Sequence, residues 1–183
     1  MKQLAEFIKN GSRFAVISHV SPDGDTLGSA AALISLIKKS GKQAKWFCEG
    51  SVPEDFMKIS EIAALVTENT DLDGFDSVIA ADVSDIERMG NCRALFERTP
   101  RKAQIDHHAT NTRFADVNVV DTRSANAFLV LALADEMGIP LDREIARALF
   151  VGISTDTGRL SHAGVTARDV ADTARLYEFD IRQ

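Results

Sequence analysis

From Arg13 to Ser18 the chain carries an unbroken apolar run, Phe14, Ala15, Val16 and Ile17, which reads as a short buried strand. From Thr26 an apolar-periodic segment reads as a helix through Leu27 to Lys39, with Leu27, Ala30, Ala31, Ile34 and Ile37 on one side, and Gln43 to Cys48 reads as a second strand. A strand, a helix and a strand in that order favour a parallel sheet. The expected fold class is therefore α/β, a mostly parallel sheet flanked by helices.

The turn between that first strand and helix is crowded with polar groups. It runs Ile-Ser-His-Val-Ser-Pro-Asp-Gly-Asp-Thr-Leu-Gly-Ser from Ile17 to Ser29. Strand-to-helix turns of open α/β sheets lie at the carboxyl ends of the strands, where ligands bind. Pro22 biases Ser21 away from helix, and Gly24 permits unusual dihedrals. If the backbone here is extended, Asp23 and Asp25 point to one side. Such a pair either holds cations or caps the following helix, and Asp, Gly, Thr and Ser are ordinary before a helix. His19 adds a nitrogen donor, and the mixed set suits manganese, iron, cobalt or zinc.

Other parts of the chain repeat the pattern. Phe75 to Ala81 reads as a strand delivering Asp82, and Lys102 to Ile105 as a strand delivering Asp106-His107-His108. Residues 2–9 read as a short amphipathic helix, and short helices are expected near Glu54 to Ile59 and Glu61 to Leu65. Asp85 to Glu97 reads as a helix weakened by Gly90 and Asn91, and Phe114 to Val120 as extended. Ser124 to Met137 reads as a helix capped by Ser124, and an Asp142-capped helix is expected to end near Gly152. Residues 153–158 then form a polar turn around Asp156, before a last helix from Thr166 to Glu178. Asp71 to Asp76 briefly resembles a calcium loop, but Phe75 and Asp76 stand where a third oxygen ligand and a glycine are needed.

Composition narrows the function. A net charge of −6 argues against a broad basic surface for long duplex nucleic acid, whereas a small phosphorylated substrate held by cations is compatible with it. No apolar run reaches membrane-span length, and the first ten residues have charges spread through them rather than a signal-peptide core, so a cytoplasmic protein without a membrane partner is expected. Cys48 and Cys92 are too few for a disulfide framework or a thiolate zinc site. Residues 1–183 read as a single domain. A helix-rich face could support a homodimer.

His19, Asp23, Asp25, Asp82, Asp106, His107, His108 and Asp156 are thus expected in loops at one sheet edge. Each has an ordinary structural explanation alone; their coincidence does not. So many histidines and carboxylates exceed the needs of one cation and fit two sharing a bridging carboxylate. Such a pair, about 4 Å apart, activates a water and polarises a phosphoryl oxygen. Histidine and aspartate without cysteine favour Mn²⁺ over Zn²⁺.

The His19-Val-Ser-Pro-Asp23-Gly-Asp25 run, the strand ending in Asp82, Asp106-His107-His108 followed by Thr110-Asn111, and Thr155-Asp156-Thr157-Gly158 resemble, in order, the four motifs of the DHH phosphoesterase superfamily. They are most similar to its bacterial nanoRNase and pAp-phosphatase branch, pAp being 3′-phosphoadenosine 5′-phosphate. The resemblance implies a RecJ-like catalytic domain with two Mn²⁺ ions, Mg²⁺ or Co²⁺ being substitutes, and a short oligonucleotide or small nucleotide as substrate. It also implies the ligands: His19 and Asp23 for one ion, Asp25, His107 and Asp156 for the other, and Asp82 as bridge. His108 would contact the scissile phosphate, Asp106 would orient an imidazole, and Arg88 would help hold phosphate. Relatives continue into a second, DHH-associated domain, which is expected to be absent from this chain. Other branches hydrolyse cyclic dinucleotides or pyrophosphate, and a non-catalytic nucleotide- or partner-binding domain is the alternative outside enzymes.

Overall fold

The computed structural model describes residues 1–66 and 74–181. In chain order the elements are α1 (Lys2–Lys9), β1 (Arg13–Ile17), α2 (Gly24–Lys39), β2 (Gln43–Phe47), α3 (Ser60–Ala63), β3 (Ser77–Ala81), α4 (Arg93–Arg98), β4 (Arg101–Asp106), β5 (Val117–Val120), α5 (Ala127–Met137), α6 (Arg143–Asp156) and α7 (Ala167–Leu176). The strands form one sheet in the order β2-β1-β3-β4-β5, and every neighbouring pair is parallel.

Both faces of the central strands β1 and β3 are covered, which is why these two are apolar runs rather than alternating ones. Phe14, Val16, Ile79 and Ala81 face the larger core with α1, α2, α5 and α6, whereas Ala15, Ile17, Val78 and Ala80 face a smaller core with Met89, Leu95 and Phe96. Gln104 interrupts this pattern: it is fully buried in β4, between Ala103 and Ile105. The chain leaves β1 for β2 on one side and later returns to place β3 on the other. The carboxyl ends of β1 and β3 therefore flank the switch point where ligands bind in such sheets.

Helix boundaries depart from expectation where packing overrides local signals. Helix α2 begins at Gly24, two residues early, because the Asp23 carboxylate caps it by accepting the Asp25 and Thr26 amides, both at 3.0 Å. Asp25 consequently lies inside the first helical turn, and the two aspartates do not share an extended segment. Helix α5 begins at Ala127, and Ser124 is not its cap; Asp25 reaches across from α2 and accepts the Asn126 and Ala127 amides at 2.5 and 3.0 Å. The segment Asp85 to Glu97 is not one helix: Gly90, at φ 55 and ψ −134, breaks it into a 3₁₀ segment and α4.

Helix α6 runs through Gly152 to Asp156, so Asp156 sits on the last helical turn rather than in a loop. The glycine there serves packing, not termination. An ideal Cβ at Gly28 would overlap the Ala148 carbonyl oxygen and stand 2.8 Å from the Gly152 nitrogen; one at Gly152 would stand 2.7 Å from Asp25 Oδ1. Only paired glycines let α2 and α6 cross this closely, and the crossing brings Asp156 beside Asp25.

Candidate metal centre

Strand ends and helix starts now deliver the polar groups to one place. His19 follows β1 and is 5% exposed. Its Nδ1–H donates to the Val20 carbonyl at 2.7 Å, which turns Nε2 inward, 3.7 Å from Asp82 Oδ2. Asp82 follows β3, is 1% exposed, and holds a left-handed backbone at φ 61, a strain tolerated mainly where function requires it. His107 follows β4. Its Nδ1–H donates to the Arg123 carbonyl at 2.9 Å, leaving Nε2 at 3.6 Å from Asp82 Oδ1, 3.6 Å from Asp156 Oδ2 and 3.9 Å from Asp25 Oδ2.

The donor atoms fall into overlapping triads. His19, Asp23 and Asp82 form one, Asp25, His107 and Asp156 another, and Asp82, His107 and His108 a third, each with its ligand atoms within 4.8 Å of one another. Ligands about 2.0–2.2 Å from one ion stand about 3–4 Å apart, so these spacings suit coordination. Asp82 belongs to two triads that share no other carboxylate.

This pocket has more lone pairs than protons. Among the described residues, Asp82 Oδ1 is buried without a hydrogen-bond partner. The single Thr26 hydroxyl proton faces both Asp82 Oδ2 at 2.6 Å and His19 Nε2 at 2.7 Å, so it satisfies one and leaves the other short. Burial, then the charges of Asp82 and Asp156, pushes the Asp25 carboxyl well above its ordinary value. Burial likewise raises Asp82 and Asp156, against the pull of neighbouring histidines and, at Asp82, the Thr26 hydrogen bond. A buried carboxylate short of donors, as Asp82 is, is what a bound cation would satisfy, and an oxygen and imidazole set suits a divalent one.

His108 stands slightly apart. Its Nδ1 donates to Asp106 Oδ1 at 2.8 Å, and this bond, foremost, raises the imidazole pKa, while the nearby Arg88 charge opposes the shift. Asp106 is fully buried and outside the ligand triads. Arg88 is exposed in the 3₁₀ segment, and its carbonyl accepts the Val20 amide at 2.8 Å, which ties the segment to the turn after β1. All the residues expected at the site are therefore gathered, Asp23 and Asp25 from a cap and a first turn, Asp156 from a helix end.

Sequence reasoning missed the supports. Arg123 holds His107 by its carbonyl while its side chain is gripped by Asp169 and Asp172 of α7 and stacks on Phe128. His162 donates Nδ1–H to the Asp156 carbonyl at 2.9 Å and packs on Gly158. Arg123 lies outside every motif, and His162, six residues after Asp156, has no carboxylate pattern of its own, so only the fold shows their roles. A separate cleft of 780 Å³, lined by Lys2, Ile8, Ser40, Lys42 and Met137, lies at the opposite ends of the strands and contains none of these groups.

Known proteins match this chain in sequence and in fold. The family model for the DHH family, N-terminal domain, matches residues 13–153. The bifunctional oligoribonuclease and PAP phosphatase NrnA of Thermus thermophilus is 30% identical over 192 residues, covering 100% of this chain and 55% of that protein. Among solved structures, an exopolyphosphatase-related protein from Bacteroides fragilis superposes with a TM-score of 0.83 at 22% identity, over 98% of this chain and 56% of its own. The exonuclease RecJ bound to manganese gives 0.55 at 18% identity, over 95% of this chain and 47% of its own. The chain thus spans about half the length of the relatives it matches.

Proposed function

The chain belongs to the DHH family, and from that premise we propose that it is a Mn²⁺-dependent phosphoesterase acting on short oligonucleotides, on 3′-phosphoadenosine 5′-phosphate, or on both. The observation that carries this reading is the pocket around Asp82, whose buried Oδ1 accepts no hydrogen bond from the described residues and faces the imidazoles of His107 and His108 at 3.6 and 3.7 Å. In this reading His19 and Asp23 would hold one ion, Asp25, His107 and Asp156 would hold a second, and Asp82 would serve both. Bound divalent cations would supply Lewis-acid polarisation of the phosphoryl group and acidify water, with Mn²⁺ preferred and Mg²⁺ or Co²⁺ as substitutes.

The protein's own groups complete the chemistry. His108, with Nδ1 committed to Asp106, keeps Nε2 free to protonate a departing oxygen, and the Asp106 hydrogen bond that raises its pKa favours the protonated ring. Arg88, exposed beside His108, offers a guanidinium to a phosphate oxygen. No helix among the described residues is long and apolar enough to cross a membrane.

The test is product release from the dinucleotide pApA in Mn²⁺, beside pAp, cyclic di-AMP and pyrophosphate, with chelated protein as control. Metal-dependent cleavage of pApA or pAp is expected. Turnover of cyclic di-AMP or pyrophosphate alone would move the chain to another branch of the family, and nucleotide binding without any turnover would make it a binding domain.

A further inference from the structure

A buried amide is expensive in a sheet core unless its orientation serves something. Gln104 occupies such a position, fully buried on β4 two residues before Asp106. Its surroundings determine which way its amide points. Asn118 is keyed by backbone alone: its Oδ1 accepts the Ala115 amide at 3.2 Å and its Nδ2 donates to the Ala115 carbonyl at 2.7 Å. Gln104 must therefore donate from Nε2 to Asn118 Oδ1, which turns Oε1 toward Asn111.

Asn111 is keyed in the same way from the other side. Its Oδ1 accepts the Arg113 amide at 2.7 Å, so its Nδ2 is the atom facing Gln104 Oε1 at 3.0 Å, Asp106 Oδ2 at 2.7 Å and the Val83 carbonyl at 3.0 Å, three acceptors for two protons. Asp106 Oδ2 is thereby supplied with a donor, and Oδ1 takes the His108 ring proton at 2.8 Å. Every donor and acceptor along this row points one way, and backbone groups at Ala115 and Arg113 prevent any member from flipping.

We propose that Gln104 is a positioning residue for His108: through Asn111 it holds Asp106 so that the imidazole keeps its proton on Nδ1 and its Nε2 toward substrate. The functional half of this inference rests on the phosphoesterase reading above; the structural half does not. Gln104 touches neither the candidate ligands nor the surface, so its replacement separates ring orientation from cation binding.

The test compares the wild-type chain with Gln104→Leu, which is close in size and removes both side-chain hydrogen bonds. Nuclear magnetic resonance of the metal-free proteins should show the His108 Nδ1–H of wild type exchanging slowly with water, and exchange accelerated by about 10-fold or more in the variant. With Mn²⁺, turnover of pApA should fall about 10-fold in kcat with KM and manganese affinity little changed. The p-nitrophenyl ester of TMP, whose leaving group departs without a proton, should lose less than about 2-fold. His108→Gln should show the same dependence on the leaving group.

Unchanged proton exchange in Gln104→Leu would overturn the proposal, as would equal losses on both substrates or a parallel loss of manganese affinity. If Gln104→Leu does not fold, Asn118→Ala, at a half-buried edge position, is held to the same expectations. If His108→Gln shows no dependence on the leaving group, the role of His108 in the phosphoesterase reading fails, while the exchange comparison still decides whether Gln104 holds the ring.

Discussion

Asp82→Asn is expected to lower cation-dependent hydrolysis by about 10³-fold or more while making the metal-free protein more stable. The two effects share a cause. Asp82 lies among Asp23, Asp25 and Asp156 with one oxygen unpartnered, and burial raises its pKa, so an ionised Asp82 opposes folding until a cation arrives. Asparagine keeps the shape, tolerates the left-handed backbone at this position and supplies protons to a pocket that lacks them.

The pH dependence follows from the same groups. Asp25, Asp82 and Asp156 have folded pKa values above their ordinary ones near 4, so over that range the native state binds more protons than the unfolded chain. Their contribution to stability therefore declines as pH rises from about 4 through the raised values. Urea denaturation in chelator at several pH values should show Asp82→Asn ahead of wild type at pH 8, with the gap closing as pH falls. Added Mn²⁺ should raise the midpoint of wild type and leave the variant nearly unmoved. A wild type more stable than the variant in chelator at pH 8 would contradict the account of the pocket.

Gly28→Ala should be the most damaging small substitution. Alanine is favoured over glycine inside a helix by about 1 kcal/mol. Against this, the new methyl would overlap the Ala148 carbonyl, which belongs to a helix backbone and cannot swing away, and overpacking of this kind costs about 3 kcal/mol. The net expectation is a loss of about 2 kcal/mol, read by urea denaturation. Separation of α2 from α6 also moves Asp156 away from Asp25, so manganese affinity should fall with stability. A stabilised Gly28→Ala would mean that the helices can part without cost.

Short-range pattern revealed the strands and the residues they deliver. Phe14 to Ile17 and Val78 to Ala81 are apolar runs buried on both faces, and such runs end where polar groups begin; Arg101 to Asp106 keeps only Ala103 and Ile105 as its apolar signal. Glycine was the ambiguous letter. Gly152 carries the same local signal as a helix stop, and only the approach of α2 distinguishes packing from termination. Capping at a distance was equally hidden: no window around Ser124 reveals that α5 is capped by a carboxylate from Asp25, far back in the chain. The stretch after Glu49 held little periodicity, and it forms 3₁₀ turns at Phe56–Lys58 and Ala64–Val66 around the brief α3. Residues 71–73 of the calcium-like run lie outside the described residues. Gln104 looked like an ordinary polar residue in a short strand, because burial cannot be seen in one letter.

The grip on Arg123 has a consequence for how the molecule comes apart. A peripheral helix with exposed Val170 ordinarily frays on its own, at little free-energy cost and without news reaching the interior. Here the opening of α7 strips Asp169 and Asp172 from a guanidinium whose own backbone holds His107. Fraying of that helix is therefore expected to loosen the carbonyl that orients the imidazole, which ties an exposed helix to a donor in the buried pocket.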